Sequence, residues 1–401
     1  MAFLISLRLD GLLSFAPGSD AIPLTPLNVL IGPNGSGKSN LIEAIELLHA
    51  TPTGFADAIR AGGGAEEWLW KGHGRAVRSA IDAVIAGPQR KLGNLRYKVA
   101  FQPVGHGFEI VNELIEETKP RPSTDEIVSY YRFEGGKYSI RKRKRKGTVG
   151  ESLEAKSASR GNGVSALRLD ESILSQRKEP DIYPELTWLG EQFSRIQISR
   201  DWTFGRTASW RKPQRGDLPT DVLLADSSNL ALILNELEHS EAWQEFNRLM
   251  RRFLPRFQRF TVKVFGGSVQ LFLHEEGMSK PMPAMRVSDG TVRFIANLAL
   301  LMSVNPPPLV CIDEPELGLH PDAVYLLADL LVSASARTQV IVTTHSDALV
   351  SALTEYADSV LVCEHVGRTV VRRLESAKLK HWLDKYRLGE IWRIGELGGN
   401  P

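Results

Sequence analysis

The sequence predicts an α/β fold with a mainly parallel sheet flanked by helices, an antiparallel subsheet and an inserted helical and irregular region. Two observations carry this prediction. The residues LNVLIGPNGSGKS, 27–39, form an apolar run, a glycine loop and the start of an amphipathic pattern, which indicates a strand, a loop and a helix in that order. In the last third of the chain, apolar segments alternate with helical patterns, which is typical of a parallel sheet covered on both faces.

The glycine loop GPNGSGKS, 32–39, matches the phosphate-binding pattern GxxxxGKS in full. Its glycines let backbone N–H groups approach a triphosphate closely, and the N-terminus of the following helix adds a partial positive charge. Lys38 supplies a cation for the β- and γ-phosphates, and the Ser39 hydroxyl can bind Mg²⁺. We therefore expect a nucleotide to bind Gly32, Asn34, Gly35, Ser36, Gly37, Lys38, Ser39 and Asn40.

The composition is that of a large globular protein with one or two cores, since the 401 residues are 42% hydrophobic and 24% charged. The formal net charge of +2 excludes a strong global field, so any affinity for nucleic acid has to come from local patches. The two cysteines, Cys311 and Cys363, lie in apolar segments, which indicates core residues in a reducing compartment. Because no apolar run has membrane-spanning length and charges come too early for a signal peptide, we expect a cytoplasmic protein.

The residues before 120 are predicted to form a first lobe, 1–119. Residues 3–31 alternate apolar and polar on both sides of a turn, which predicts an antiparallel hairpin that leads into the glycine loop. A small antiparallel sheet beside the nucleotide site is expected from further strands at 76–86, 95–102 and 107–115.

The middle of the chain, 120–255, has a different composition and is predicted to be an insertion. A strand pair at 127–141 precedes the basic run RKRKRK, 141–146, and we expect the small polar residues that follow to be mobile. Helical patterns return from residue 183, and strands are expected again at 260–274. The second lobe is predicted to span 256–401, with a helix over 347–357.

Two acidic residues in the second lobe can serve the phosphate-binding loop. The apolar strand LVCIDE, 309–314, ends in Asp313 and Glu314. Asp313 can bind Mg²⁺ directly or through water, and Glu314 lies where a general base could polarise the attacking water. An acidic strand end that only caps a helix is the alternative, which the phosphate-binding loop in the same chain disfavours.

Two further motifs accompany this strand. In VSDGT, 287–291, Ser288 is expected to cap a helix whose N-terminus can bind an anion, and Gly290 permits close approach to its first turn. His345 ends the apolar segment QVIVTTHS, where its imidazole can reach a γ-phosphate. Taken singly, an ordinary N-cap and a structural histidine are the simpler explanations.

Together, these motifs resemble those of ABC-class ATPases. GPNGSGKS, VSDGT, LVCIDEPE (309–316) and TTHS (343–346) are similar to the Walker A, signature, Walker B and switch-histidine motifs. The resemblance is to the non-transporter branch with SMC proteins, RecF and OLD proteins, and within it to stand-alone bacterial AAA-type ATPases whose Walker B continues as EPExxLHP, here 314–321. It implies a P-loop NTPase fold of the ABC-ATPase head type, while 120–255 carries no motif of the branch.

The resemblance implies an ATP sandwich, in which the Walker A motif of one subunit of a homodimer faces the signature helix of the other. Lys38 and Ser39 would bind phosphate and Mg²⁺, and Asp313 the metal. Glu314 would be the base and His345 the switch. The nucleotide of the partner subunit would contact Ser288, Asp289 and Gly290.

This sequence departs from the branch at two positions. Asp289 stands where transporter signatures have a glycine, and its carboxylate would repel a γ-phosphate unless it points away. A glutamine that binds the metal usually follows Walker A, and Gln102, at the end of a predicted strand, is the candidate. Either departure is compatible with slow hydrolysis.

Three other features have two interpretations each. The run RKRKRK either binds DNA phosphates or is a solvated hairpin end. Residues 195–215 interleave arginines with Trp202, Phe204 and Trp210, and either stack nucleic-acid bases or, as we favour, anchor a loop onto the head. Glu316 and His320 either line the dimer interface or shape the turn into the next helix.

The sequence therefore predicts a Mg²⁺-dependent ATPase that dimerises around ATP and serves DNA repair, DNA maintenance or anti-phage defence. An alternative is a slow ATP-sensing module that controls a separate nuclease or toxin, since no carboxylate cluster of a nuclease follows His345. The motor subunit of a membrane transporter is the weakest interpretation, because the signature departs and the insertion is long.

Overall fold

The computed structural model describes residues 2–72, 76–88, 93–121, 125–143, 167–200, 202, 205 and 207–399, and the backbone alone at 152–157. Lys144–Lys146 of the basic run, and most of the polar stretch that we expect to be mobile, lie outside the described residues.

In chain order, the strands are β1 (Leu4–Asp10), β2 (Ile22–Pro23), β3 (Leu27–Ile31), β4 (Ser79–Ile85), β5 (Leu95–Val104), β6 (Gly107–Glu117), β7 (Ser129–Glu134), β8 (Lys137–Lys142), β9 (Ser152–Ser157), β10 (Gln197–Ser199), β11 (Gln214–Arg215), β12 (Phe257–Phe265), β13 (Ser268–Glu275), β14 (Met282–Pro283), β15 (Leu309–Asp313), β16 (Gln339–Thr343), β17 (Val360–His365) and β18 (Thr369–Arg373). The helices are α1 (Lys38–Ala50), α2 (Phe55–Ala61), α3 (Ala65–Trp68), α4 (Ile173–Gln176), α5 (Pro184–Ser194), α6 (Leu230–Glu238), α7 (Trp243–Phe253), α8 (Asp289–Leu301), α9 (Pro321–Ala334), α10 (Asp347–Ala352), α11 (Ser376–Leu383) and α12 (Leu388–Arg393).

The predicted parallel sheet is confirmed. Its strand order is β10–β15–β16–β3–β17–β18, in which β18 runs antiparallel to its neighbour and the other pairs are parallel. The strands are short and apolar because both faces are covered: Val29 and Ile31 pack into one core, and Leu30 into the other. The first core also receives α8, α9, α10 and α12, and the second receives α1 and α5.

The predicted hairpin over 3–31 is wrong. β1 pairs with β2 and β4 in an eight-stranded antiparallel sheet of order β2–β1–β4–β5–β6–β7–β8–β9, whereas β3 lies between β16 and β17 in the parallel sheet. The alternating pattern identified the strands but not their partners. The strands expected at 76–86, 95–102 and 107–115 are present as β4, β5 and β6.

The middle of the chain contributes to the antiparallel sheet, the parallel sheet and both cores. β7 and β8 extend the antiparallel sheet beyond residue 119, and β10 adds a parallel edge strand beside β15. Side chains of α6 and α7 enter the core that contains α8. The boundaries predicted at 119 and 255 stay a prediction about domain organisation.

Two further predictions concern the second lobe. The strands expected at 260–274 are present as β12 and β13, in a sheet with β11 and β14. The helix expected over 347–357 ends earlier, since α10 stops at Ala352 and a 3₁₀ helix follows at Thr354–Ser359. The backbone at Tyr356, inside this 3₁₀ segment, is not helical, so the periodic pattern does not correspond to one continuous helix.

A buried carboxyl group connects α4 to the antiparallel sheet. Glu113 on β6 accepts hydrogen bonds from the Ser172 hydroxyl at 2.5 Å, the Ile173 N–H at 2.9 Å and the Tyr97 hydroxyl at 2.8 Å. Burial outweighs these donors and raises the pKa of Glu113 to about 7. Between pH 4.5 and about 7, Glu113 therefore keeps its proton in the folded protein but loses it in the unfolded chain.

The raised pKa predicts that stability falls as pH rises from 4.5 to about 7. The loss should amount to about 3 kcal/mol, since each pKa unit of difference is worth about 1.4 kcal/mol. Glu113→Gln keeps the shape without the titration, so its free energy of unfolding should change much less over this range. Urea unfolding at several pH values measures this, with the exposed Glu134→Gln on β7 as control. Equal pH dependence in wild type and Glu113→Gln would contradict the assignment.

Candidate functional site

The glycine loop lies between β3 and α1, at the carboxyl end of the parallel sheet, as the sequence predicts. Gly37 has a φ of 95°, and a Cβ there would lie 2.2 Å from the Thr369 hydroxyl oxygen. The same hydroxyl hydrogen-bonds the Ser36 carbonyl oxygen at 3.0 Å. Thr369, the first residue of β18, therefore packs against the loop and holds it in place. Because its hydroxyl occupies the space of a Cβ, only glycine fits at position 37.

Lys38 provides a buried cation inside this loop. Its ammonium donates hydrogen bonds to the carbonyl oxygens of Gly32 at 2.7 Å and Pro33 at 3.0 Å. Burial lowers the pKa of Lys38, while the nearby Asp313 and Glu314 favour its charged form. An amine held in this way is placed to bind an anion above the loop.

The two acids that end β15 are held by the neighbouring strand β16. The Thr343 hydroxyl hydrogen-bonds the Asp313 carboxylate. The backbone N–H of Glu314 donates to the Thr343 carbonyl oxygen at 3.1 Å and approaches its hydroxyl oxygen at 3.2 Å. His345 Nε2 lies 3.5 Å from Glu314 Oε1. Burial, and next the charge of Lys38, lower the pKa of His345, which favours the neutral imidazole.

A cleft of about 180 Å³ brings most of the predicted residues together. Its lining includes Ser39 and Asp313, an oxygen donor set that suits Mg²⁺, which typically takes one or two protein carboxylates or hydroxyls together with substrate phosphates. Within the described ranges, no cluster of three or more His, Cys, Asp or Glu forms a separate metal site. The cleft is lined by Asn34, Gly35, Ser36, Gly37, Lys38, Ser39, Asn40, Asp313, Glu314 and His345.

The signature residues do not line this cleft but lie at the start of α8. Ser288 caps the helix, its hydroxyl oxygen accepting a hydrogen bond from the Thr291 N–H at 3.2 Å. The Asp289 carboxylate turns away to Arg211 and to the Gly205 N–H. Gly290 is close to the turn after β15, because a Cβ there would lie 2.5 Å from the Gly318 carbonyl oxygen.

Three other residues singled out in the sequence do not line the cleft. Gln102 lies on β5 opposite Glu109, in the antiparallel sheet, so the structure does not bring it to the cleft and its role as a metal ligand stays a prediction. Glu316 accepts a hydrogen bond from the Thr344 hydroxyl, and burial raises its pKa. His320 caps α9, with Nδ1 accepting from the Asp322 N–H at 3.3 Å.

The described residues of the segment 195–215 anchor onto the head, as we favoured. Trp210 is buried in a core, and Arg211 donates to the carbonyl oxygens of Met285 and Val287 as well as to Asp289. Phe204 lies outside the described residues.

Sequence reasoning missed Thr343, Arg211 and Arg293. Arg293 lies in the buried part of α8, where it is the one charged residue, and donates to the Glu314 carbonyl oxygen at 2.6 Å. A charged residue in the middle of a mostly apolar helical pattern was the signal available for it. Thr343 and Arg211 gave no such signal, because their partners lie 30 and 78 residues away along the chain.

The fold and the site define the head of an ABC-type P-loop ATPase. Residues 27–351 match the family described as "AAA domain, putative AbiEii toxin, Type IV TA system", and the chain belongs to that family. Its sequence is also 40% identical over 126 residues to the Old nuclease of Escherichia phage P2. That stretch is 28% of this chain and 21% of the phage protein, so the match spans about a fifth of that relative's length.

The fold resembles those of SMC head domains. The crystal structure of an SMC head bound to the C-terminal winged-helix domain of ScpA has a TM-score of 0.56 and 16% identity, over 94% of this chain and 99% of that chain. An SMC head with an extended coiled coil, bound to the C-terminal domain of ScpA and derived from Pyrococcus furiosus, has a TM-score of 0.56 and 15% identity, over 96% of this chain and 99% of that one. In the part of this chain that the structure describes, no helix has the length and apolar character to cross a membrane.

The cleft predicts different defects for two substitutions. Lys38→Ala removes the buried cation and should abolish tight ATP binding. Asp313→Ala should leave ATP binding largely independent of Mg²⁺, because the loop stays intact while the metal loses its carboxylate. Titration calorimetry with ATP, with and without Mg²⁺, measures both. Lys71→Ala, at an exposed lysine paired with Glu67, is the control and should bind as wild type does. Wild-type affinity in Lys38→Ala, or an unchanged Mg²⁺ effect in Asp313→Ala, would refute the assignment.

Proposed function

We propose that this protein binds and hydrolyses ATP and that ATP closes a dimer of two copies. The observation that carries the proposal is the convergence, in one cleft, of a complete phosphate-binding loop, a candidate metal carboxylate and the pair Glu314–His345. The SMC-head fold and the ATPase family support the same conclusion.

Each residue has a distinct role in this proposal. Lys38 and the backbone N–H groups of the loop bind the β- and γ-phosphates. Ser39 and Asp313 would hold Mg²⁺, which would supply electrostatic stabilisation of the triphosphate. Glu314 takes a proton from the attacking water, and the neutral imidazole of His345 donates a hydrogen bond to the γ-phosphate.

The dimer is required because the anion-binding end of α8 lies outside the cleft of its own subunit. Ser288 and the first N–H groups of α8 then contact the γ-phosphate that the partner subunit binds. The Asp289 carboxylate does not oppose this contact, because Arg211 pairs with it at 2.5 Å.

This arrangement predicts activity on mixing two inactive variants. Ser288→Arg blocks the contact in trans, and Lys38→Ala blocks binding in cis. A mixed dimer has one site with both lesions and one with neither, so equal amounts should recover about a quarter of wild-type ATPase activity if subunits pair at random and sites act independently. Steady-state phosphate release at concentrations that favour dimers measures this.

A matched control uses Lys38→Ala mixed with Glu314→Gln. Both lesions belong to the cleft of their own subunit, so each site of the mixed dimer carries one and the mixture should stay inactive. Glu314→Gln alone should bind ATP and accumulate as a closed dimer, since it lacks the base but keeps the cleft. If Ser288→Arg with Lys38→Ala also stays inactive while fluorescence energy transfer shows subunit exchange, the ATP sandwich is wrong.

The wider role that we propose is DNA repair or maintenance, or defence against phages. The name of the family refers to a toxin of a toxin–antitoxin system, and a partial relative is a phage nuclease. A slow ATP sensor that controls a separate nuclease or toxin is the second candidate, and the position of Gln102 away from the cleft favours it. DNA and such an effector are therefore the partners to test, and a cytoplasmic location is part of the proposal.

If DNA is the partner, double-stranded or single-stranded DNA should raise the ATPase rate. Replacing Arg141–Lys146 by six glutamines should then weaken DNA binding and flatten its dependence on log salt, with a slope change of about 0.9 per lost phosphate contact. Fluorescence anisotropy at several salt concentrations measures this, and the ATPase rate without DNA is the internal control. An unchanged slope would assign the run to a solvated hairpin end.

A further inference from the structure

The signature helix α8 contacts the turn after β15 of its own subunit at three points. Gly290 lies against the Gly318 carbonyl oxygen, Arg293 donates to the Glu314 carbonyl oxygen at 2.6 Å, and Asn297 donates to the Pro315 carbonyl oxygen at 3.1 Å. Positions 290, 293 and 297 share one face of a helix. This face of α8 therefore packs against the turn that contains Glu314, the candidate base.

Glu314 has an unusual backbone conformation that needs support. Its φ is 47°, in the left-handed region that residues other than glycine rarely adopt. β16 holds its N–H through Thr343, and Arg293 holds its carbonyl oxygen. The direction of the Glu314 side chain toward His345 depends on this conformation, so both neighbours share in placing the base.

Burying the charged side chain of Arg293 costs free energy that an apolar side chain would not. Arg293 is 4% exposed within a mostly apolar helix, and burial lowers its pKa to about 10. The carboxylates of Glu316, Glu314 and Asp313 favour its charge, and its guanidinium lies 5.5 Å from the centre of the Trp202 ring. An apolar side chain would fill this space without the cost of burying a charge, whereas only a donor can hold the Glu314 carbonyl oxygen.

We propose that Arg293 is a positioning residue, which fixes the backbone of Glu314 from the signature helix of the same subunit so that the carboxylate faces the attacking water. The proposal rests on the proposed function, since it assumes that Glu314 is the base. Arg293 does not touch the nucleotide in this arrangement, so its loss should spare ATP affinity.

The first test separates turnover from binding. Arg293→Met keeps the length and apolar stem of the side chain, and kcat should fall about 10- to 100-fold while the ATP dissociation constant stays near that of wild type, because a small displacement of a catalytic group costs rate rather than affinity. Arg293→Lys keeps one charged donor and should recover part of the rate. If Arg293→Met misfolds, the comparison of Arg293→Lys with wild type decides in its place. A wild-type kcat in the variant that folds would overturn the proposal.

The second test places the same substitution in either subunit of the mixed dimer described above. The subunit with Ser288→Arg supplies the working Glu314, and the subunit with Lys38→Ala supplies only the signature helix. Arg293→Met should lower the recovered activity by the same factor, about 10- to 100-fold, when it is in the first subunit, and should leave most of it when it is in the second. The reverse result would assign Arg293 to the signature contact in trans and overturn the proposal. If wild type itself neither hydrolyses ATP nor dimerises, the proposed function fails, and this inference fails with it.

Discussion

The hydrogen bonds between the ends of β15 and β16 are the constraint on which the site depends. β16 lies between β15, which carries Asp313, and β3, which leads into the glycine loop. Thr343, the last residue of β16, bonds both the Asp313 carboxylate and the Glu314 N–H. The distance from the acids to the loop is therefore set by the register of three parallel strands, which is far stiffer than a connection between loops.

The same sheet connects the two ends of the chain. Gln339, at the start of β16, donates to the carbonyl oxygens of Leu4 and Thr25, and its side-chain oxygen accepts from the Leu4 N–H at 2.7 Å. The residue is fully buried, so a substitution that cannot make these bonds would leave several backbone groups unsatisfied, at about 1–3 kcal/mol each. The antiparallel sheet is in this way attached to the parallel sheet at the end opposite the cleft.

The sequence predicted the features that depend on neighbouring residues and missed those that depend on residues far away along the chain. The strand, loop and helix around Lys38, the two acids at the end of β15 and the cap at Ser288 were predictable, because each depends on neighbours along the chain. The partner of β3 was not, since its neighbours come from the C-terminal third, and the same holds for β10, whose partner β15 lies more than a hundred residues away. Periodicity shows that a strand exists and which faces are buried, but pairing is decided by tertiary packing.

The departure at Asp289 shows how charge at a helix end can be corrected by a distant residue. The N-terminus of α8 carries about half a positive charge, which a full negative charge in its first turn would outweigh and so leave the end repulsive to phosphate. Arg211 cancels that charge with a side chain that is 11% exposed, and its bonds to Met285 and Val287 keep it in place. The sum is again about half a positive charge, so the end of α8 keeps the anion-binding property that the proposed ATP sandwich needs, even though the glycine of transporter signatures is absent.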